Sequence, residues 1–169
     1  LPPGLDNLQN LEILILRNDY LNSFPDEIGN LKNLKYLDLS FNQINQLPSS
    51  IGNLESLEKV DFTYNKITSI PSSFGNLKNL KEAIFYANQI TEIPESIDEI
   101  GNLKNLKYLD LSFNQINQLP SSIGNLESLE KVDFTYNKIT SIPSSFGNLK
   151  NLKEAIFYAN QITEIPESI

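Results

Sequence analysis

Cysteine and histidine are both absent from this chain. Without cysteine there is no disulfide framework, no thiolate nucleophile and no thiolate metal site. Without histidine the commonest general base and the commonest metal ligand are missing too. Positive charge is scarce: one arginine, Arg17, and twelve lysines stand against 21 acids, a net charge of −8. A nucleic acid or an anionic membrane asks for a basic face, so this balance counts against both. No apolar run approaches the ~18 residues that a membrane helix needs, which argues against membrane insertion. Asn-x-Ser/Thr is missing, so N-glycosylation has no acceptor. No charged-apolar-small leader opens the chain. The first residue is Leu1 rather than Met, so the chain reads as a mature form or a fragment, and a removed leader stays open.

What is present is a repeat. The stretch Leu37-Asp38-Leu39-Ser40-Phe41-Asn42-Gln43-Ile44-Asn45-Gln46-Leu47-Pro48 recurs in close variants. The units begin at Leu11, Leu34, Leu57, Leu80, Leu106, Leu129 and Leu152, spaced by 23 residues except for one step of 26. Each fits LxxLxLxxNxL, with Val60, Ala83, Phe62 and Phe85 standing in for leucines. A period of 20–29 residues with this pattern is a repeat-array signature, and 40% hydrophobic residues over 169 positions can supply its core. In Leu37-Asp38-Leu39 alternate side chains face opposite sides of a short strand, leucines inward and Asp38 outward. One such strand cannot bury its apolar side, but stacked copies form a parallel sheet over a continuous core. Asn42, Asn65, Asn88, Asn114, Asn137 and Asn160 sit where each strand ends. A buried amide there carries the donors and the acceptor that neighbouring turns need. In the first unit Asp19 takes that place, and an ionised carboxylate accepts but does not donate, so the ladder is expected to weaken there. Pro48, Pro71, Pro94, Pro120, Pro143 and Pro166 then set an extended or turn geometry toward the outer side, where 3-10 or irregular turns are expected.

On these motifs the whole chain resembles the leucine-rich-repeat family. The form with Leu-Pro-Ser-Ser-Ile-Gly-Asn-Leu between strands (residues 47–54) resembles arrays of leptospiral and other bacterial proteins and of Ras-group repeat proteins. The composition, rich in Asn, Lys, Ile, Ser, Phe and Tyr, suits an AT-rich genome and suggests a bacterial origin. The resemblance implies an α/β repeat fold, mainly parallel β with irregular convex segments: a right-handed, curved solenoid of about seven repeats. It also implies a protein partner on the concave sheet face, no catalysis, no cofactor and no metal. For bacterial relatives it favours a secreted or cell-surface role in host interaction over a cytoplasmic one.

The chain is expected to be a single array over residues 1–169, with a partial and a first repeat in 1–25 and a three-repeat block in 26–97. Residues 98–169 copy that block at every position. Folding alone does not hold exposed positions identical, because surface substitutions change stability by no more than about 0.5 kcal/mol. The copy is therefore a recent duplication or an engineered tandem. Asp98, Glu99 and Ile100 are the three extra residues of the 26-residue step, and an outward bulge is expected there with the sheet continuing. Leu1-Pro2-Pro3-Gly4-Leu5 and Ile165-Pro166-Glu167-Ser168-Ile169 read as partial repeats without polar caps. Apolar ends that associate end to end, or flanking sequence beyond them, are expected.

Outward strand positions form columns. One runs Ile13, Tyr36, Lys59, Glu82, Tyr108, Lys131, Glu154; the next Ile15, Asp38, Asp61, Ile84, Asp110, Asp133, Ile156; the third Arg17, Ser40, Thr63, Tyr86, Ser112, Thr135, Tyr158. Candidate partner-binding residues are Tyr36, Asp38, Lys59, Asp61, Glu82, Ile84, Tyr86, Tyr108, Asp110, Lys131, Asp133 and Tyr158, since aromatic residues dominate interface hot spots. The competing reading is a solubilising face with cross-strand packing. The duplication presents this face twice, three strands apart at ~4.8 Å each, which would suit a repetitive target. Asp38 beside Asp61, and Asp110 beside Asp133, place like charges together. Calcium asks for 6–8 oxygens and catalysis for a concave pocket, so neighbouring Lys59 and Lys131 plus water are the expected compensation. Phe41, Tyr64, Phe113 and Tyr136 precede the Asn; they border the face or, by the favoured reading, pack along the turn, with Ala87 and Ala159 as thinner places. Two other readings stay open: an engineered or truncated scaffold without a native partner, and the recognition array of a larger enzyme or effector.

Overall fold

The computed structural model describes residues 3–94 and 100–169. Seven three-residue strands form one parallel sheet in chain order. They are β1 (Ile13–Ile15), β2 (Tyr36–Asp38), β3 (Lys59–Asp61), β4 (Glu82–Ile84), β5 (Tyr108–Asp110), β6 (Lys131–Asp133) and β7 (Glu154–Ile156). With alternating side chains, each three-residue strand has one inward residue of its own. That residue is Leu37, Val60, Ala83, Leu109 or Val132 in β2 to β6, all without exposure. The following inward positions, Leu39, Phe62, Phe85, Leu111 and Phe134, are equally buried. Truncating one such leucine to alanine costs about 2–5 kcal/mol.

Proline sets the outer side. Pro25, Pro48, Pro71, Pro120 and Pro143 hold φ between −66° and −74° and ψ between 145° and 153°, and each is followed by a five-residue 3-10 turn. The turns bury Ile28, Ile51, Phe74, Ile123 and Phe146 against the back of the sheet. Their glycines are set by stacking: a Cβ on Gly29 would lie 2.6 Å from the carbonyl oxygen of Ser50 in the next turn.

Between strands and turns runs the asparagine ladder. Asn42 Nδ2 donates to Leu16 O at 2.7 Å and to Leu39 O at 3.0 Å, while its Oδ1 accepts from Leu21 N at 3.1 Å. Asn65, Asn88, Asn114, Asn137 and Asn160 repeat the pattern one coil further each time. Each amide thus ties two successive coils through groups that the core would otherwise leave unpaired.

The junction of the two identical blocks lies between β4 and β5. The pairing Glu82↔Tyr108 and Ala83↔Leu109 continues the parallel ladder, and Phe85 N donates to Asp110 O at 2.8 Å. The sheet therefore crosses the 26-residue step intact. A 3-10 turn is described over Ile100–Asn102 ahead of β5, and the expected bulge at Asp98 and Glu99 lies outside the described residues.

Candidate functional site

The outward side chains of the seven strands form rows across the sheet because the register is one residue to one residue at each step. In the first row Lys59 Nζ lies 5.4 Å from the centre of the Tyr36 ring and 3.0 Å from Glu82. The second block repeats this: Lys131 stands 5.6 Å from the Tyr108 ring and 3.1 Å from Glu154. A lysine between an aromatic face and a carboxylate on adjacent strands is a cation–π and ion-pair relay. The hydrogen bond to Glu82 holds the Lys59 pKa above its ordinary value, more than desolvation lowers it.

The expected compensation of Asp38 and Asp61 by Lys59, and of Asp110 and Asp133 by Lys131, is thus corrected: each lysine neutralises a glutamate. The aspartates are held by their own chain. Asp38 Oδ1 accepts from Ser40 N at 2.9 Å and from Ser40 Oγ at 2.6 Å. Asp61 and Asp133 accept from Thr63 N at 2.9 Å and Thr135 N at 2.8 Å. Asp110 accepts from Ser112 N and Ser112 Oγ. A carboxylate two residues before Ser or Thr makes such a local turn readily, so the spacing Asp-x-Ser/Thr was the signal in the sequence.

A second correction concerns exposure. Asp38, Ser40, Asp110 and Ser112 were expected to face outward and be free for contact, but all four are buried. The Tyr36 hydroxyl donates to Asp38 Oδ2 at 3.2 Å, and Arg17 donates to the same oxygen through Nε and Nη2. Tyr108 donates to Asp110 Oδ2 at 3.1 Å. Burial, with Asp110 the next cause, pushes the Tyr108 hydroxyl pKa well above the usual tyrosine range. Asp61, Asp133, Lys59, Lys131, Glu82, Ile84, Tyr36, Tyr86 and Tyr108 are partly exposed on the face, and Tyr158 is exposed. Among the described residues no group of three or more acidic side chains is arranged to hold a metal ion.

The largest departure from expectation is aromatic. The residue before each ladder position has left-handed φ in every repeat: Asn18, Phe41, Tyr64, Ala87, Phe113, Tyr136 and Ala159, from 52° to 59°. That turn aims Phe41, Tyr64, Phe113 and Tyr136 outward, 42–51% exposed. Phe41 stacks on Tyr64 at 5.2 Å between ring centres, and Phe113 on Tyr136 at 4.7 Å. Ala87 and Ala159 do not thin the row. Tyr86 and Tyr158, one residue earlier, fill those places: Tyr86 lies 5.7 Å from Tyr64 and 5.2 Å from Phe113, and Tyr158 lies 5.8 Å from Tyr136. Six rings therefore form one stripe along the border of the sheet face.

Comparison with known proteins agrees with this geometry. The family described as leucine-rich repeat region matches residues 1–100 and 91–169. No curated protein matches the chain. A leucine-rich-repeat protein of Leptospira interrogans is 35% identical with a TM-score of 0.93, over 99% of this chain and 42% of that one. The chain thus spans under half the length of that relative. Internalin C2 from Listeria monocytogenes is 32% identical with a TM-score of 0.82, over 95% of this chain and 67% of its own. The ectodomain of the Arabidopsis thaliana receptor kinase GASSHO1/SCHENGEN3, solved in complex with CASPARIAN STRIP INTEGRITY FACTOR 2, is 34% identical with a TM-score of 0.81. It aligns over 91% of this chain and 19% of its own.

Proposed function

Because the chain belongs to the leucine-rich-repeat family, we propose that it is a non-catalytic scaffold that binds a protein partner on its sheet face, at the cell surface or secreted from a bacterium. The observation that carries this reading is the exposed ring stripe beside Tyr36, Lys59, Tyr108 and Lys131 on one rigid sheet. Aromatic side chains fixed by a scaffold present large contact area at low entropic cost, which is how interface hot spots work. The plant ectodomain above and the peptide hormone receptor RGFR1, the latter 28% identical with a TM-score of 0.69, are both solved with a bound factor. The Leptospira and Listeria relatives support the bacterial origin, and the plant ectodomain supports the extracellular setting. Among the described residues no helix is long and apolar enough to cross a membrane. The test is affinity capture from bacterial and host lysates, read by mass spectrometry, with the protein and with its quadruple Tyr36, Tyr86, Tyr108, Tyr158→Ala variant. Loss of a captured protein by a variant that circular dichroism shows still folded supports the reading, and equal capture by both proteins rejects it.

A further inference from the structure

The two identical blocks differ in the coil ahead of them. Ahead of the first block the third row carries Arg17; ahead of the second, the same place carries Tyr86. The consequence falls on two aspartates with matching surroundings on their own strands. Asp38 and Asp110 each have Oδ1 bound by a serine N–H and hydroxyl, and Oδ2 bound by a tyrosine hydroxyl. Asp38 Oδ2 also receives the Arg17 guanidinium, whose Nε reaches Ser40 Oγ at 3.1 Å. Asp38 is left with 0% exposure, whereas Asp110 keeps 9%. Among the described residues Asp61, Asp110 and Asp133 take part in no ion pair, and Arg17 is the chain's one arginine.

We propose that Asp110 is the seat for an arginine of the partner, an extended basic segment whose guanidinium docks there as Arg17 docks on Asp38. This rests on the sheet-face reading above and names the chemistry of the partner. The chain supplies the template. Asp110 Oδ2 offers the acceptor that Arg17 Nε and Nη2 both use on Asp38 in the first block, and a planar guanidinium brings two N–H groups to such an oxygen where an ammonium brings one. Tyr86, one coil before Ser112 in the third row, offers a ring face to a cation and to the apolar stem of an arginine. Asp133 stands in register beside Asp110, so a second basic side chain meets charge rather than a neutral surface. The net charge of −8 draws a basic segment toward this face before contact.

The experiment is fluorescence anisotropy with a labelled, end-capped decapeptide of alternating Arg and Ser, and with its Lys-Ser counterpart. The protein should hold the arginine peptide at least about tenfold tighter than the lysine peptide, the difference expected of a bidentate against a point contact. Asp110→Asn should weaken the arginine peptide by about tenfold or more, as loss of a charge-assisted bond does. Tyr86→Arg keeps Asp110 but rebuilds the first-block arrangement, and should weaken the peptide as much by filling the seat from within. It also covers the case in which Asp110→Asn fails to fold. Equal affinity of Tyr86→Arg and the parent protein, equal affinity for both peptides, or no binding at millimolar protein overturns the proposal. If those results coincide with tyrosine-dependent capture from lysate, only the arginine seat is wrong. If capture ignores the tyrosines, the face reading itself fails.

Discussion

Asn114 Nδ2 donates to the carbonyl oxygen of Phe85 at 3.0 Å across 29 residues of sequence, where the corresponding bond of Asn88 to Phe62 spans 26. The same amide accepts from Ile90 N at 3.0 Å and donates to Leu111 O at 3.1 Å. It is the tie that carries the ladder over the longer step between the identical blocks. Asn114→Leu leaves those buried groups unpaired, and at about 1–3 kcal/mol per orphaned group the array should lose about 3 kcal/mol. Asn160, which makes the same bonds in a half-exposed setting, should cost about 1 kcal/mol when replaced likewise. Urea titrations of the two variants check this, and equal losses would count against a burial-driven ladder.

Gly29 and Gly101 hold the same place in the two sequence-identical blocks, yet their surroundings differ. A Cβ on Gly29 would stand 2.6 Å from Ser50 O, which forces the stacked turns apart; on Gly101 the nearest atoms are at 3.1 Å. Gly29→Ala should therefore destabilise by about 1–3 kcal/mol, the usual range for overpacking, and Gly101→Ala by less than about 1 kcal/mol. Thermal unfolding of both variants measures the gap, and a larger loss at Gly101 would show that the stacking distances do not set it.

The repeat period made Leu37, Leu39 and Asn42 legible, because period-2 alternation and a single recurring amide leave few alternatives. It hid Asp38, because alternation assigns an outward residue to solvent and says nothing of what closes over it. Here the lid comes from Ser40 two residues on, from Tyr36 two residues back and from Arg17 in the coil before. The stripe was hidden for another reason. Phe41 and Tyr64 point outward because the backbone there takes φ of 58° and 53°, and no spacing rule encodes that turn.

That left-handed turn makes a prediction of its own. A non-glycine residue at such φ is disfavoured by roughly 1–2 kcal/mol, against about 0.5–1 kcal/mol of extra chain entropy that glycine loses on folding. Ala87, at φ 56°, has no ring to lose, so Ala87→Gly should stabilise by about 0.5 kcal/mol. Phe113 has the same φ but stacks on Tyr136 at 4.7 Å, so Phe113→Gly should cost about 1 kcal/mol net through the lost pair. Chemical denaturation of the two variants reads the sign directly, and a loss at Ala87 would mean the turn is not strained.

Acid should act through Asp38. Burial alone would raise its pKa, but the Ser40 hydroxyl, the Ser40 N–H and the Arg17 guanidinium outweigh burial and hold it below the ordinary aspartate value. A carboxylate depressed in the folded state contributes stability that is full above its unfolded pKa and is lost as the pH falls through the folded one. Arg17→Ala removes one of the depressing causes, so the Asp38 pKa rises and its contribution begins to disappear at a higher pH. The acid-unfolding midpoint of Arg17→Ala should therefore move up. Lys66→Ala, which removes an exposed cation outside the described ion pairs, should leave it in place. At neutral pH Arg17→Ala should melt below the parent protein, and the difference should narrow as the pH falls through the carboxylate range, because a protonated Asp38 no longer distinguishes the two. A constant difference in Tm across that range would mean that Arg17 stabilises by packing rather than by its charge.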